Sequence, residues 1–317
     1  MDNQIYTSKV TVAIPAYKSQ FLGEAIESVL AQTYSNIELH IVNDCSPQDI
    51  DSVVKRYCND KRVHYHVNPQ NIGGKDPVRN WNKCLEYATG EFFALLCDDD
   101  VYASTFIENM LKLATKYPYT NVFRARVKIV GGMGELLDYY PSAPEWENST
   151  DYMWAIVSSY RRQTISEFMY RTSYIKEQGG YIPLPKAWCS DHASVISLAK
   201  KGGIATCNVL LVQFRMSGVK ISTGDSKNIL EKVEAHVKYT HLIESFLQNE
   251  SKDVRQLILK ARKNEIRNIM SINLTNATWH DYLFLYRNRN SKKYEIPSRC
   301  FLKAIYGKIV RKLKRTI

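Results

Sequence analysis

The stretch Phe92–Tyr102, FFALLCDDDVY, constrains this chain more than any other. Five apolar residues, Phe92 to Leu96, follow the turn residue Gly90 and read as a buried strand. The run is cut off by Asp98, Asp99 and Asp100. Three adjacent carboxylates repel one another and cannot be buried uncompensated. At the C-terminal end of a parallel strand, where open α/β sheets bind ligands, a divalent cation is the simplest partner. Such an ion favours phosphate oxygens as its remaining ligands. The plain alternative is a solvated acidic turn leading into a helix over residues 104–115.

The segments around this strand alternate in type. Val10 to Ile14 is a β-branched run stopped by Pro15, and Ser19 can cap a helix carrying Phe21, Leu22, Ala25, Ile26, Val29 and Leu30 at helical spacing. Ile37 to Val42 reads as a second strand ending at Asn43 and Asp44, Val53 and Val54 as a second helix, and Val63 to Val67 as a third strand. A polar loop, NPQNIGGKDP, precedes a helix from Val78 to Ala88. This order predicts an α/β fold with a mostly parallel, doubly wound sheet. Pro15, Ala16 and Tyr17, then Asp44, then the acidic triplet all fall at C-terminal strand ends. No G-x-G-x-x-G or G-x-x-x-x-G-K-[ST] follows these strands, which disfavours a dinucleotide site or a P-loop.

Further along, Val122 to Val130 reads as a strand, Gly131, Gly132 and Gly134 as a loop, and Ser142 to Asn148 as a loop facing an acceptor. Asp191 precedes a helix from Ala193 to Lys201, and Ile204 to Phe214 is another strand. Ser190 or Asp191 could simply cap that helix. Residues 228–287 show helical patterning. The expected organisation is a catalytic unit over 1–222, a helical extension over 223–290 and a basic amphipathic tail over 291–317.

The net charge of +11 is concentrated at the C-terminal end, where Arg287 to Ile317 hold eleven Lys and Arg against one acid, Glu295. The body is nearly neutral, which argues against a nucleic-acid partner. Seven scattered cysteines without a C-x-x-C pair suit reduced thiols rather than a disulfide framework or a zinc site. No signal peptide or membrane-spanning run is read from the sequence. A cytoplasmic protein is therefore expected. In the tail, Phe301, Leu302, Ile305, Tyr306, Ile309, Val310 and Leu313 share one helical face among Lys and Arg. Such a helix can lie on an anionic membrane, here the inner face of the cell membrane, or dock on the body.

Four segments, VTVAIPAY, SVLAQTYSNIELHIVNDCS, NIGGKDPVRNWNKCLEYATGEFFALLCDDD and SDHASVISLAKKGGIATCNVLLVQFRMSG, resemble the family 2 glycosyltransferases. These are inverting nucleotide-sugar enzymes of the GT-A fold, and the resemblance covers roughly residues 8 to 222 in family order. It implies that Pro15, Ala16 and Tyr17 line a nucleobase pocket and that Asp44 accepts a hydrogen bond from the base, usually uracil. It places Asn71, Gly73 and Arg79 near the diphosphate or sugar. Asp99 and Asp100 align with the family's D-x-D region, while Cys97 stands where many members carry the first aspartate, so Asp98 can substitute. It implies that Asp98, Asp99 and Asp100 bind Mn2+ or Mg2+ and that Asp191 is the catalytic base. Arg215 matches an Arg-x-His pattern in which Ser217 replaces the His, which implies a nucleotide-sugar-binding role for Arg215.

The resemblance thus implies inverting transfer of a hexosyl or N-acetylhexosaminyl group from a nucleotide sugar, a UDP-sugar by the Asp44 match. The acceptor would be a hydroxyl of a saccharide or lipid-linked saccharide, as in bacterial surface polysaccharide synthesis. Two other classes compete. A nucleotidyltransferase would carry a basic Gly-rich loop after the first strand, which IPAYKSQFLGE is not. An idle nucleotide-sugar or membrane-binding module would be expected to lack the triplet or Asp191.

Overall fold

A computed structural model describes residues 7–216 and 228–314. Ser217, the end of the unit expected over 1–222, and residues 315–317 of the tail lie outside the described residues. The strands are β1 (Val10–Ala16), β2 (Ile37–Asn43), β3 (Val63–Val67), β4 (Phe92–Leu95), β5 (Val101–Tyr102), β6 (Val122–Val130), β7 (Leu136–Tyr139), β8 (Trp146–Glu147), β9 (Phe168–Arg171) and β10 (Ile204–Arg215). The helices are α1 (Leu22–Leu30), α2 (Ile50–Lys55), α3 (Pro77–Glu86), α4 (Phe106–Lys116), α5 (Ser149–Val157), α6 (Thr172–Glu177), α7 (Ser190–Leu198), α8 (Ile229–Phe246), α9 (Lys252–Asn276), α10 (Trp279–Arg287) and α11 (Ser298–Lys314).

The sheet runs in the order β3-β2-β1-β4-β9-β6-β10-β5, with β7 added to β6 and β8 to β10. Strands β3, β2, β1 and β4 are parallel, as are β6 and β10. The antiparallel β9 joins the two groups. Register explains why the polar residues converge. Ala16 lies beside Asn43 and Ala13 beside Leu95, so Tyr17, Asp44 and Asp98 emerge from three neighbouring strands at one edge. Strand β1 runs through Pro15 rather than stopping there. The C=O of Ala13 faces β4, and so does the ring nitrogen of Pro15 two residues on, where the β1–β4 ladder has already ended. Proline offers no N–H to extend that ladder, and β1 continues on its other side, where Ala16 pairs with Asn43 of β2.

Alternation along the strands divides the core. Phe92 and Ala94 pack with α1, α2 and α4 on one face; Phe93 and Leu95 pack with α3, α5, α7 and α8 on the other. Burial on both faces is why these strands read as continuous apolar runs. Ser19 does not cap α1. Its N–H and hydroxyl bond Gln48 Oε1, and the helix begins after Phe21 with no side-chain cap. The predicted acceptor loop Ser142–Asn148 contains β8, whose Glu147 is buried and paired with Arg161. Buried charge of that kind is stable only when paired.

Helices α8 and α9 share the second core through Ala235, Tyr239, Ile243, Leu247 and Ile258. A third cluster joins α8–α10 to Cys300, Phe301 and Ala304 of α11, and the Tyr282 hydroxyl donates to the Phe301 carbonyl at 3.0 Å. One stripe of the tail helix is therefore docked on the body. A second stripe, Leu302, Ile305, Tyr306 and Ile309, is exposed at i, i+3, i+4 and i+7. Among the described residues no helix is long and apolar enough to cross a membrane.

Candidate active site

The triplet is not a solvated turn. Asp98, Asp99 and Asp100 are 5%, 7% and 0% exposed. Each carboxylate has its own compensation. Asp98 Oδ2 accepts the backbone N–H groups of Tyr17 at 2.8 Å and Lys18 at 2.7 Å, which ties the end of β1 to the end of β4. Asp98 Oδ1 and Asp99 Oδ2 share the Lys18 ammonium at 3.2 and 2.5 Å. Asp100 accepts the Ser166 hydroxyl at 2.6 Å and the Arg215 N–H at 3.1 Å. Burial pushes the Asp98 carboxyl above its usual range, and Lys18 and the two amides pull against it. Burial disfavours the Lys18 ammonium, yet Asp98 and Asp99 outweigh it and hold the pKa above the usual lysine value. Lys18, Ser166 and Glu24 escape a reading of the sequence. Their contacts span large sequence separations, and only the position of Lys18, next to Tyr17, offers a local hint.

Asp44, 2% exposed, ends β2. Its Oδ1 accepts from Asn68 Nδ2 at 2.9 Å and the Ile72 N–H at 3.0 Å; its Oδ2 accepts the Gly73 N–H at 2.7 Å. The loop before α3 is thereby folded onto Asp44. A Cβ at Gly73 would sit 2.7 Å from Asp44 Oδ2, so a side chain there would displace that carboxylate. Asn71 caps the same loop through the Gly74 N–H at 2.6 Å. Arg79 stands exposed on the first turns of α3, whose cap is Asp76. Tyr17 is 41% exposed and its carbonyl accepts the Ser46 hydroxyl at 2.6 Å, while Pro15 is half-buried and Ala16 buried.

Arg215 is spent on the framework. Its Nη2 pairs with Glu24 at 2.5 Å, its Nε donates to the Asp99 carbonyl at 3.2 Å, its Nη1 donates to the Gly132 carbonyl at 3.3 Å, and the guanidinium lies 4.1 Å from the Phe21 ring centroid. Both ends of this residue therefore brace the triplet, the N–H on Asp100 and the side chain on the Asp99 backbone.

Asp191 is the second residue of α7, and neither it nor Ser190 caps the helix. The capping position is Cys189, in the left-handed region at φ 62°, and Ser190 Oγ instead accepts the Leu184 N–H at 2.9 Å. Lys186 and Ala187 also have positive φ, so the approach to α7 is a conformationally costly segment of the kind concentrated at functional sites. Lys186 Nζ donates to the Gly74 carbonyl at 2.9 Å, joining this segment to the loop held by Asp44. The turn Ile165–Glu167 reaches the triplet through Ser166. Ser166 bonds Asp100, and at the adjacent Glu167 burial raises the carboxyl pKa against the pull of Arg124. Glu167 and Arg124 form a buried pair at 2.6 Å.

A second group of ligand-type residues, Glu38, His40 and His64, lies toward the opposite end of β2. Glu38 there is already bonded by Lys9, Thr11 and Thr89. Two surface clefts, about 270 Å³ between α5 and α9 and about 420 Å³ beside α3 and α6, are lined by none of the triplet residues, Asp44 or Asp191.

A mostly parallel α/β sheet with aspartates gathered after β2 and β4, beside the end of β1, has the carboxyl-edge arrangement at which open α/β folds bind ligands. The sequence pattern described as Glycosyl transferase family 2 matches residues 11–148, so this stretch of the chain is similar to that family's domain. An uncharacterised glycosyltransferase of Rickettsia prowazekii is 33% identical over 117 residues, which is 37% of this chain and 35% of that protein's length. The chain thus spans about a third of the length of that relative. TuaG of Bacillus subtilis, named for teichuronic acid biosynthesis, is 27% identical over 222 residues, 69% of this chain and 83% of TuaG. Among solved structures, S. aureus TarS 1–349 in complex with UDP-GlcNAc superposes with a TM-score of 0.66 at 16% identity, covering 95% of this chain and 89% of that one. The mannosyltransferase PcManGT of Pyrobaculum calidifontis, with GDP-Man and Mn2+, gives 0.57 at 14% identity, covering 96% and 88%. The fold is GT-A with a helical C-terminal region.

The bond from Ser166 to Asp100 is buried at both ends and involves a carboxylate, the kind of bond worth about 1.5–3 kcal/mol. Ser166→Ala is therefore expected to lower the unfolding free energy by about that amount in a urea titration. A loss below about 0.5 kcal/mol would show that Asp100 does not depend on Ser166.

Proposed function

We propose that this protein is an inverting glycosyltransferase that moves a hexosyl or N-acetylhexosaminyl group from a UDP-sugar to an acceptor hydroxyl. The acceptor class is a saccharide or lipid-linked saccharide in bacterial surface polysaccharide assembly. The observation that carries this reading is the meeting of Asp44, Asp98 and Asp99 at one sheet edge, the ends of β2 and β4 beside the end of β1. The names of relatives support the process: TuaG for teichuronic acid, and GgaB of Bacillus subtilis, 32% identical over 114 residues, for minor teichoic acid. TarS, a structural neighbour, was solved with UDP and with UDP-GlcNAc.

In this reading Pro15, Ala16 and Tyr17 flank the base. Asp44 Oδ2 accepts one bond, from Gly73, and a carboxylate oxygen takes two, so it can also accept a base N–H. Asn71 and Gly73 shape the loop beside the diphosphate, and Arg79 reaches it from α3. Asp98 Oδ1 and Asp99 Oδ2 suit Mn2+ or Mg2+, being carboxylate oxygens already gathered around one positive charge. Asp100 and Arg215 act by holding that pair in place. When bound, the divalent ion supplies charge neutralisation for the leaving diphosphate. Asp191 takes the proton of the acceptor hydroxyl as its oxygen attacks the anomeric carbon from the face opposite the diphosphate, which inverts the configuration.

Positioned base catalysis contributes about 100- to 10,000-fold. Asp191→Asn is expected to lower the rate of UDP release in the presence of acceptor by about that factor, with UDP affinity by calorimetry unchanged. Full turnover in this variant would remove Asp191 from the mechanism.

The same proposal places the protein in the cytoplasm, at the inner membrane face, with the exposed stripe of α11 against anionic lipid. Removing α11 would open the third core cluster, so the test changes only its outer stripe. The triple variant Leu302→Ser, Tyr306→Ser, Ile309→Ser is expected to lose flotation with phosphatidylglycerol vesicles while keeping its melting temperature. Undiminished flotation would exclude this stripe as the contact.

A further inference from the structure

We propose that Lys18 is a built-in counter-ion that holds the cation position of the donor site and yields it when a divalent ion enters. The inference rests on the reading of the triplet as the donor site. Three observations carry it. The Lys18 ammonium lies between two buried carboxylates of neighbouring residues, 3.2 Å from Asp98 Oδ1 and 2.5 Å from Asp99 Oδ2. Asp98 Oδ2 is committed to the Tyr17 and Lys18 amides, so Oδ1 is the oxygen of Asp98 that faces the ammonium. Finally, the Lys18 backbone is pinned by that same amide bond, while its side chain keeps 28% of its surface in solvent.

Without a cation these carboxylates would be buried side by side as like charges, an arrangement that disfavours ionisation of both. The ammonium offsets that repulsion and keeps the edge folded before any ligand arrives. A divalent ion competes for the same two oxygens and brings twice the charge. The ammonium then leaves by rotation of a flexible four-carbon stem anchored at a fixed Cα. Its nearest new source of negative charge is the donor diphosphate, so one residue both compensates the empty site and contacts the filled one. Affinity for the divalent ion is thereby kept low until a diphosphate is present to receive the displaced ammonium.

The test is binding of Mn2+, followed by the electron paramagnetic resonance signal of the free ion, for the full chain and for Lys18→Met. Without nucleotide, Lys18→Met is expected to bind Mn2+ at least tenfold more tightly, and Mn2+ is expected to raise its melting temperature more than that of the native chain. In the presence of Mn2+, its affinity for UDP is expected to fall. Lys18→Arg, which keeps the charge, is expected to bind Mn2+ without nucleotide as weakly as the native chain, and it serves if Lys18→Met does not fold. Equal or weaker Mn2+ binding by Lys18→Met, or tightened binding by Lys18→Arg, would overturn the role of Lys18. Failure of the native chain to bind Mn2+ even with UDP would instead overturn the donor-site reading, and this inference with it.

Discussion

Three carboxylates in a row at the end of a buried strand must each find compensation, and the C-terminal edge of the sheet is arranged around that need. Asp98 draws in the amides that follow β1, Asp99 shares the Lys18 ammonium, and Asp100 takes Ser166 and the backbone of Arg215. These bonds join segments from the beginning, middle and end of the sheet region. The arrangement is costly in isolation, because burial of like charge is unfavourable. It persists because each negative charge is met by donors that the parallel register brings to the same edge.

The fold was legible because its central strands β1, β2 and β4 are buried on both faces and the others carry β-branched or apolar runs. Runs such as Val63–Val67 and Val122–Val130 have the bounds expected from their β-branched and apolar content. The parallel order followed from the alternation of strands and helices. Boundaries decided by tertiary contacts were less legible. Pro15 would end most strands, but here it ends only the pairing with β4, while β2 carries β1 on to Ala16. Ser19 has the chemistry of a cap, yet Gln48 takes its donors. The antiparallel β9, which joins the two parallel groups, carries no local mark of its direction.

The candidate site divides in the same way. Aspartates at strand ends were visible in the sequence because side-chain chemistry and strand position coincide. Partners were not, since Lys18 to Asp99, Ser166 to Asp100 and Glu24 to Arg215 are long-range contacts. Arg215 shows the consequence. The family pattern suggested a donor-facing cation, whereas the guanidinium is occupied by Glu24, the Asp99 carbonyl and Phe21. Its position was legible and its present bonding was not. The tail gives a similar lesson. Sequence periodicity found one apolar face, but the helix has two stripes, one docked in the third cluster and one exposed.

The central claim is that the edge formed by β1, β2 and β4 binds a nucleoside diphosphate together with a divalent cation. The most direct measurement is a thermal-shift series on the purified chain with uridine, guanosine, cytidine and thymidine diphosphates, each with and without Mn2+. A ligand at about 100 times its dissociation constant adds roughly 2.7 kcal/mol, which raises the melting temperature by several degrees. The account predicts a Mn2+-dependent rise for the uridine diphosphate that exceeds the rise for the other three. No shift with any nucleotide would contradict it, and the triplet would then be a structural feature rather than a donor site.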